Sequence, residues 1–99
     1  MNYIKEIKAF YTQIQTNPIS HNANSLWHAL MHVNNLTGWK PQFTVAQSVL
    51  QSNSGLSKTS FKRARNELVE KGYIHYRTRG GNRAPEISNG QFVVHYGLQ

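Results

Sequence analysis

The chain has 99 residues, a formal net charge of +7 at pH 7 and no cysteine. That length suits one domain with a modest core, and a chain without cysteine has neither disulfide bonds nor thiolate metal sites. No apolar run approaches the ~20 residues of a membrane-spanning helix, and the start of the chain lacks a secretory signal pattern, so we expect a cytoplasmic protein with no membrane partner.

The first predicted element is an amphipathic helix from residue 3 to about residue 15. Its apolar residues recur at spacings of three and four: Ile4, Ile7, Tyr11 and Ile14. This periodicity is typical of one face of a helix, whose other face is polar. Asn17 and Pro18 are predicted to end the helix.

A second helix is predicted between Pro18 and Gly38. Its apolar residues form a band wider than a single stripe: Ala23, Leu26, Trp27, Leu30, Met31, Val33 and Leu36. A band of that width predicts the central, best-buried helix of the domain. Gly38 is the predicted stop, and residues 39–42 are predicted to form a connecting loop.

A short third helix is predicted from Val45 to about Gln51. Thr44, followed three residues later by Gln47, matches a capping box. Val45, Val49 and Leu50 can face the core. The following stretch "SNSG" is predicted to be a turn, in which Gly55 tolerates the left-handed backbone conformation.

The fourth predicted helix runs from Lys58 to Lys71, with Ser57 as its N-cap and Gly72 just past its end. Its apolar residues recur at three and four and fix the buried side: Phe61, Ala64 and Leu68. Two helices joined by a short turn that contains glycine predict a helix-turn-helix.

Beyond Gly72 the sequence pattern becomes that of a β-hairpin. "YIHYRTR" alternates with a period of two and predicts a strand, "GGNRAPEISNG" predicts a long turn, and "QFVVHYGL" predicts the returning strand. The predicted fold is therefore mainly α with a small β-hairpin, a winged helix-turn-helix. It forms one domain over residues 1–99: an N-terminal helix (1–17), a helical core (18–72) and a wing hairpin (73–99).

The positive charge is concentrated in one part of the chain. Eight of the eleven lysine and arginine residues lie between Lys58 and Arg83. On a helical wheel, the side of the fourth predicted helix opposite its apolar residues is cationic, with Arg65 closer to the core boundary. A basic stripe on a helix-turn-helix, followed by a basic hairpin, favours a nucleic-acid-binding surface.

We predict that this surface binds DNA, and duplex rather than single strands. Arginine can present a fork to guanine and asparagine can pair bidentately with adenine, which favours Arg63 and Asn66 for base contacts. Lys58 and Lys62 are predicted phosphate contacts. The predicted DNA-binding residues, including wing arginines that can follow the backbone, are Lys58, Thr59, Lys62, Arg63, Arg65, Asn66, Arg77, Arg79 and Arg83.

Catalytic and metal-binding patterns are weak. His28 and His32 have a chelating spacing, but Ala29 stands where a zinc-protease motif needs Glu, and we predict packing rather than a metal site. Glu67 and Glu70 are the only nearby acid pair, and Glu67 with Lys71 fits a helical i, i+4 pair. We therefore predict no enzyme activity, no metal and no cofactor.

Three stretches carry a family resemblance: "NPISHNANSLWHALMHVNNLTGW", "FTVAQSVL" and "GLSKTSFKRARNELVEKGYIHYRTRGGNRAPE". In this order they resemble the N-terminal winged-helix domain of DnaD-like replication-initiation proteins, which include phage replisome organisers and primosome components. The resemblance implies a role in replication initiation, self-association, and DNA and other replication proteins as partners. Family members usually continue into a C-terminal helical domain, which these residues do not include.

Two other functions remain open at this level. A winged-helix transcription regulator would share the helix-turn-helix, and genomic neighbours would separate it from a replication protein. A protein-interaction module would use the N-terminal helix to oligomerise, with little DNA affinity. Assembly without DNA binding at low salt would favour that second alternative.

Overall fold

The computed structural model describes residues 3–40, 42–80 and 83–89, and the side chains of Tyr3 and Asn89 are not described. The described residues form four helices and three strands, in the order α1 (Tyr3–Ile14), α2 (His21–Leu36), β1 (Gln42–Thr44), α3 (Gln47–Ser54), α4 (Lys58–Glu70), β2 (Ile74–Arg77) and β3 (Glu86–Asn89). Within this part of the chain, every helix is too short or too polar to cross a membrane.

The predicted start of α4 is confirmed, and α2 begins in the same way. The Ser57 side chain accepts a hydrogen bond from the backbone N–H of Ser60 at 3.2 Å. At α2, the Ser20 hydroxyl accepts from the backbone N–H of Ala23 at 3.1 Å. Each serine satisfies an N–H that the first turn of a helix leaves without a partner, which is why serine favours this position.

The predicted end of α4 is confirmed at Gly72, which has a φ of 80°. The backbone N–H of Tyr73 donates to the carbonyl of Leu68 at 2.8 Å, and that of Gly72 donates to Val69 at 3.1 Å. These two bonds form a Schellman motif, which needs a left-handed residue and therefore favours glycine. The motif turns the chain directly into β2.

The predicted capping box at the start of α3 is wrong. Thr44 lies in β1, and Ala46 occupies the N-cap of α3 without a side-chain hydrogen bond. The Gln47 side chain instead donates to Gln51 Oε1 at 3.1 Å. The helix also continues past its predicted end to Ser54, because the left-handed residue that closes it is Gly55, with a φ of 72°.

The sheet has three antiparallel strands in the order β1-β3-β2, where the sequence predicted only a hairpin. Strand β3 (Glu86–Asn89) lies in the segment predicted to be a turn, and β1 takes residues predicted as loop and cap. Ile87 is opposite Tyr76 of the preceding strand and opposite Phe43, which lies far earlier in the sequence. The predicted returning strand, residues 91–98, lies outside the described residues.

The core confirms α2 as the central helix. Phe10 of α1 stacks on Trp27 of α2, with ring centroids 3.8 Å apart, and the edge of Tyr73 approaches Phe10 from the start of the sheet. Leu36, at the end of the predicted apolar band, is 71% exposed, so that part of the prediction is wrong. Its position in the last turn carries it beyond the packed part of the helix.

The predicted apolar face of α1 is partly wrong. Ile4 and Tyr11 are 66% and 48% exposed, whereas Ala9 and Phe10 are buried. Stacking of Phe10 on Trp27 sets the rotation of α1 and turns part of the predicted stripe toward solvent. The predicted core face of α3 is also partly wrong, since Leu50 is buried but Val49 is exposed.

These elements give a mainly helical fold with a small antiparallel sheet, which confirms the predicted fold class and is consistent with a winged-helix-like arrangement. Helices α3 and α4 are joined by residues 55–57, and β2 begins a few residues after α4 ends. The fold thus presents α4 between the helical core and the sheet.

Candidate nucleic-acid interface

Helix α4 presents its cationic side to solvent. Phe61, Ala64 and Leu68 are buried in the core, as the wheel predicted. The opposite side carries the exposed residues Lys58, Thr59, Lys62, Arg63 and Asn66. The structure therefore brings the predicted helix residues together on one accessible surface, which we call the α4 surface.

Arg65 joins the α4 surface to the sheet. Its side chain is half-buried, and its guanidinium lies over the ring of Tyr76 in β2, 4.9 Å from the ring centroid. The same guanidinium donates to Asn66 Oδ1 from Nε at 3.4 Å and from Nη2 at 3.2 Å. A cation over an aromatic face is attracted by the ring quadrupole, so Tyr76 helps to hold Arg65 in place.

The wing arginines also stabilise the wing itself. Arg77 Nη2 donates to Glu86 Oε1 at 2.6 Å, an ion pair between β2 and β3. Arg79 Nε donates to the carbonyl of Ala84 at 2.7 Å, and Arg83 Nε donates to the carbonyl of Gly80 at 3.2 Å. The sequence pattern did not predict these bonds, although Glu86, which follows shortly after Arg83, could have indicated the ion pair.

Glu67 ties the end of α4 to the start of α2. One carboxylate oxygen accepts from the Ser20 backbone N–H and the other from the Ser20 hydroxyl, each at 2.7 Å. Lys71 Nζ lies 3.7 Å from Glu67, which confirms the predicted i, i+4 pair. Burial raises the pKa of Glu67, but the Ser20 donors and the Lys71 charge outweigh it and hold that pKa below its ordinary value.

Further contacts bind the linker between α1 and α2 to the residues that follow α4. Asn17 Nδ2 donates to the carbonyl of Lys71 at 2.8 Å. The Tyr73 hydroxyl donates to the carbonyl of Asn17, and Lys71 Nζ donates to that of Pro18. Burial raises the pKa of Tyr73. These contacts fix how α4 lies against the rest of the molecule, and no local periodicity in the sequence predicts them.

The histidines of α2 border a separate groove. An open, polar groove of about 610 Å³ lies between α2 and the end of α3, with His28, His32 and Asn53 among its lining residues. His28 Nδ1 lies 2.9 Å from the carbonyl of Asn24, and the ring packs edge-on against Phe10. Across the described residues, no three His, Asp or Glu side chains cluster in a way that could hold a metal ion.

The fold and this surface define a class: a small, mainly helical domain, consistent with a winged-helix-like arrangement, with a basic helix exposed beside its sheet. No protein-family model matches the chain, and no curated protein is significantly similar to it. The geometry and charge of the α4 surface are therefore the features from which a function can be inferred.

Proposed function

We propose that this protein binds duplex DNA by placing α4 in the major groove and the basic wing along the phosphate backbone. The observation that carries this proposal is the exposed cationic side of α4, opposite a fully buried apolar side. From Lys58 to Asn66 a helix advances roughly 12 Å, comparable with the about 12 Å width of the groove.

Charge supports the proposal as well. The chain carries a formal net charge of +7, and most of its cations lie in α4 and the wing. Neutralising roughly five or six phosphates would make the logarithm of affinity fall with the logarithm of salt at a slope of about −5. Lys58 and Lys62 are the proposed phosphate contacts on the helix, and Arg79 and Arg83 those on the wing.

The biological setting is proposed from the sequence resemblance. Resemblance to the N-terminal domain of DnaD-like proteins favours a role in replication initiation, in which DNA binding accompanies contacts with other replication proteins. The buried and exposed sides of α4 are compatible with that role. A transcription regulator would use the same surface, so the binding experiment applies to either setting.

The test is fluorescence anisotropy with duplex and single-stranded DNA over a salt series. Replacing Lys62 and Arg63 with alanine should weaken duplex binding several-fold or more without lowering Tm, because both side chains are exposed. The matched control replaces Lys8 and Lys40, two exposed lysines outside α4 and the wing, and removes the same charge. Equal loss in both double variants would contradict a specific role for α4.

The exposed apolar residues of α1 favour a second function, self-association. Ile4 is 66% exposed and Tyr11 is 48% exposed, one helical heptad apart. Contiguous exposed apolar surface on one side of a helix is typical of an interaction surface. Light scattering of the free protein, with Ile4 and Tyr11 replaced by serine as the comparison, would show whether α1 mediates assembly.

A further inference from the structure

The α4 surface is composed almost entirely of hydrogen-bond donors. Ammonium and guanidinium groups only donate, so Lys58, Lys62 and Arg63 offer no acceptor to a base. Of the predicted helix residues, only Thr59 and Asn66 carry a side-chain oxygen. The state of these oxygens therefore decides which base edges the surface can match.

The acceptor of Asn66 is already occupied. Arg65 directs both Nε and Nη2 at Asn66 Oδ1, at 3.4 and 3.2 Å. Because a guanidinium has no acceptor, the amide oxygen must face it and the amide NH₂ group must lie on the other side. Both N–H groups reach Oδ1 from the guanidinium side. The amide oxygen is therefore turned toward Arg65, and the amide donors of Asn66 face away from it.

Strand β2 maintains this arrangement. The Arg65 guanidinium lies 4.9 Å from the centroid of the Tyr76 ring, and its side chain is half-buried. A planar guanidinium can stack on a ring and bind an oxygen with two parallel N–H groups at once, which an ammonium cannot do. The wing strand thereby determines the orientation of a side chain on the neighbouring helix.

Bases differ in the partners that they offer to such a surface. In the major groove, guanine presents two adjacent acceptors, N7 and O6, and cytosine presents a donor. An A·T pair instead places the N6 donor of adenine between its two acceptors, adenine N7 and thymine O4. The bidentate pairing of asparagine with adenine needs a free Oδ1. Apart from the Thr59 hydroxyl, the α4 surface then presents donors, which match the two adjacent acceptors of guanine.

We infer that the α4 surface selects duplex DNA that presents guanine to it, and that Arg65 and Tyr76 set this preference by occupying the acceptor of Asn66. The inference rests on the proposed DNA binding and specifies which base the bound duplex presents. It differs from the expectation, drawn from residue type alone, that Asn66 pairs with adenine.

The first experiment measures duplex preference by fluorescence anisotropy at low salt. Three duplexes of equal length are compared: alternating G·C, alternating A·T, and the G·C duplex with 7-deazaguanine, which lacks the N7 acceptor but keeps its base pairing. The G·C duplex should bind about 5- to 100-fold more tightly than the A·T duplex, as expected for one good base contact. The 7-deazaguanine duplex should lose most of that advantage.

The second experiment removes the paired hydrogen bonds from residue 65 to Asn66 Oδ1 while keeping the positive charge at residue 65. The Arg65→Lys variant retains a cation but cannot hold Oδ1 with two N–H groups, so the G·C to A·T affinity ratio should fall at least several-fold. Tyr76→Leu should lower the ratio in the same direction. The control, Lys62→Ala, should weaken binding to both duplexes alike, because a phosphate contact carries no sequence information.

The outcomes separate the two levels of the proposal. Equal binding of all three duplexes, or a ratio unchanged in Arg65→Lys, would overturn the guanine preference and leave DNA binding intact. An absence of binding to every duplex at low salt would overturn the proposed function, and the inference with it. Circular dichroism and Tm of each variant establish that it is folded.

Discussion

The structural role of an individual side chain depends on the residues that contact it in the folded protein. Arg63 is exposed on α4. Arg65, two positions later, is half-buried over Tyr76, and Arg77 is paired with Glu86. All three are arginines in one basic segment, so composition alone treats them alike. Packing distinguishes a side chain that is exposed to solvent from one that positions a neighbour or stabilises the sheet.

Glu6 gives a prediction at the residue scale. Its side chain is 1% exposed, and burial raises its pKa to about 7. A pKa raised in the folded state lowers stability as pH rises from the unfolded value toward 7, because folding then has to retain the proton. Glu6→Gln stays neutral and should raise the free energy of unfolding by about 1–3 kcal/mol at pH 8.

The measurement is urea unfolding of Glu6→Gln and the wild-type protein at pH 4 and pH 8. The two proteins should differ little at pH 4, where the carboxyl is protonated in both states. Glu70→Gln, at an exposed position on α4, is the control. A stability gain of Glu6→Gln that is the same at both pH values would show that the charge of Glu6 is not its cause.

Whole elements were predictable where their ends are set by local chemistry. Ser57 and Gly72 bound α4 as predicted, because a cap and a left-handed residue act on backbone groups within one turn. The prediction failed for Thr44, which has the right residue type but pairs with Glu86 in the sheet. Pairing with a strand far along the chain overrode a local signal.

Gly72 gives a prediction at the element scale. Its φ of 80° lies in the left-handed region, and a Cβ added there would meet no atom within 4 Å. Gly72→Ala should therefore lower the free energy of unfolding by about 1–2 kcal/mol through backbone strain alone. Gly80→Ala is the matched control, because Gly80 also has open space around it but does not have a positive φ.

Thermal or urea unfolding of the two alanine variants checks this prediction. Gly80→Ala should stay within about 0.5 kcal/mol of the wild-type protein, as most surface substitutions do. Similar stabilities for Gly72→Ala and Gly80→Ala would mean that the turn from α4 into β2 does not depend on the left-handed conformation.

At the scale of the whole molecule, the orientation of α4 depends on contacts between distant parts of the chain. Glu67 accepts hydrogen bonds from the backbone N–H and the hydroxyl of Ser20, which lies 47 residues earlier. Asn17 donates to the carbonyl of Lys71. These bonds join the linker after α1 to the end of α4. They stabilise the position from which α4 presents its cationic side.

Glu67 gives a prediction at this scale. Glu67→Gln should lower the free energy of unfolding at pH 7 by about 1–3 kcal/mol, since hydrogen bonds to a charged group are the stronger kind. The pKa of Glu67 is lowered by folding, so this stabilisation is present above the unfolded value and is lost as pH falls through the folded value. The difference between variant and wild type should therefore shrink in acid.

Urea unfolding from pH 7 down to pH 3 measures the effect. Glu70→Gln, in which an exposed carboxyl on the same helix is replaced, should change stability little. If Glu67→Gln were as stable as Glu70→Gln at pH 7, the contact with Ser20 would not anchor α4.

The sequence by itself determined the helical elements, the rotation of α4 and the location of its positive charge, because helical periodicity and caps act over a few residues. The tertiary structure decided what depends on distant partners: strands β1 and β3, the rotation of α1 against Trp27, and the hydrogen bonds from Ser20 to Glu67. It also placed Arg65 between Tyr76 and Asn66. Each of these follows from contacts that form only when the chain has folded.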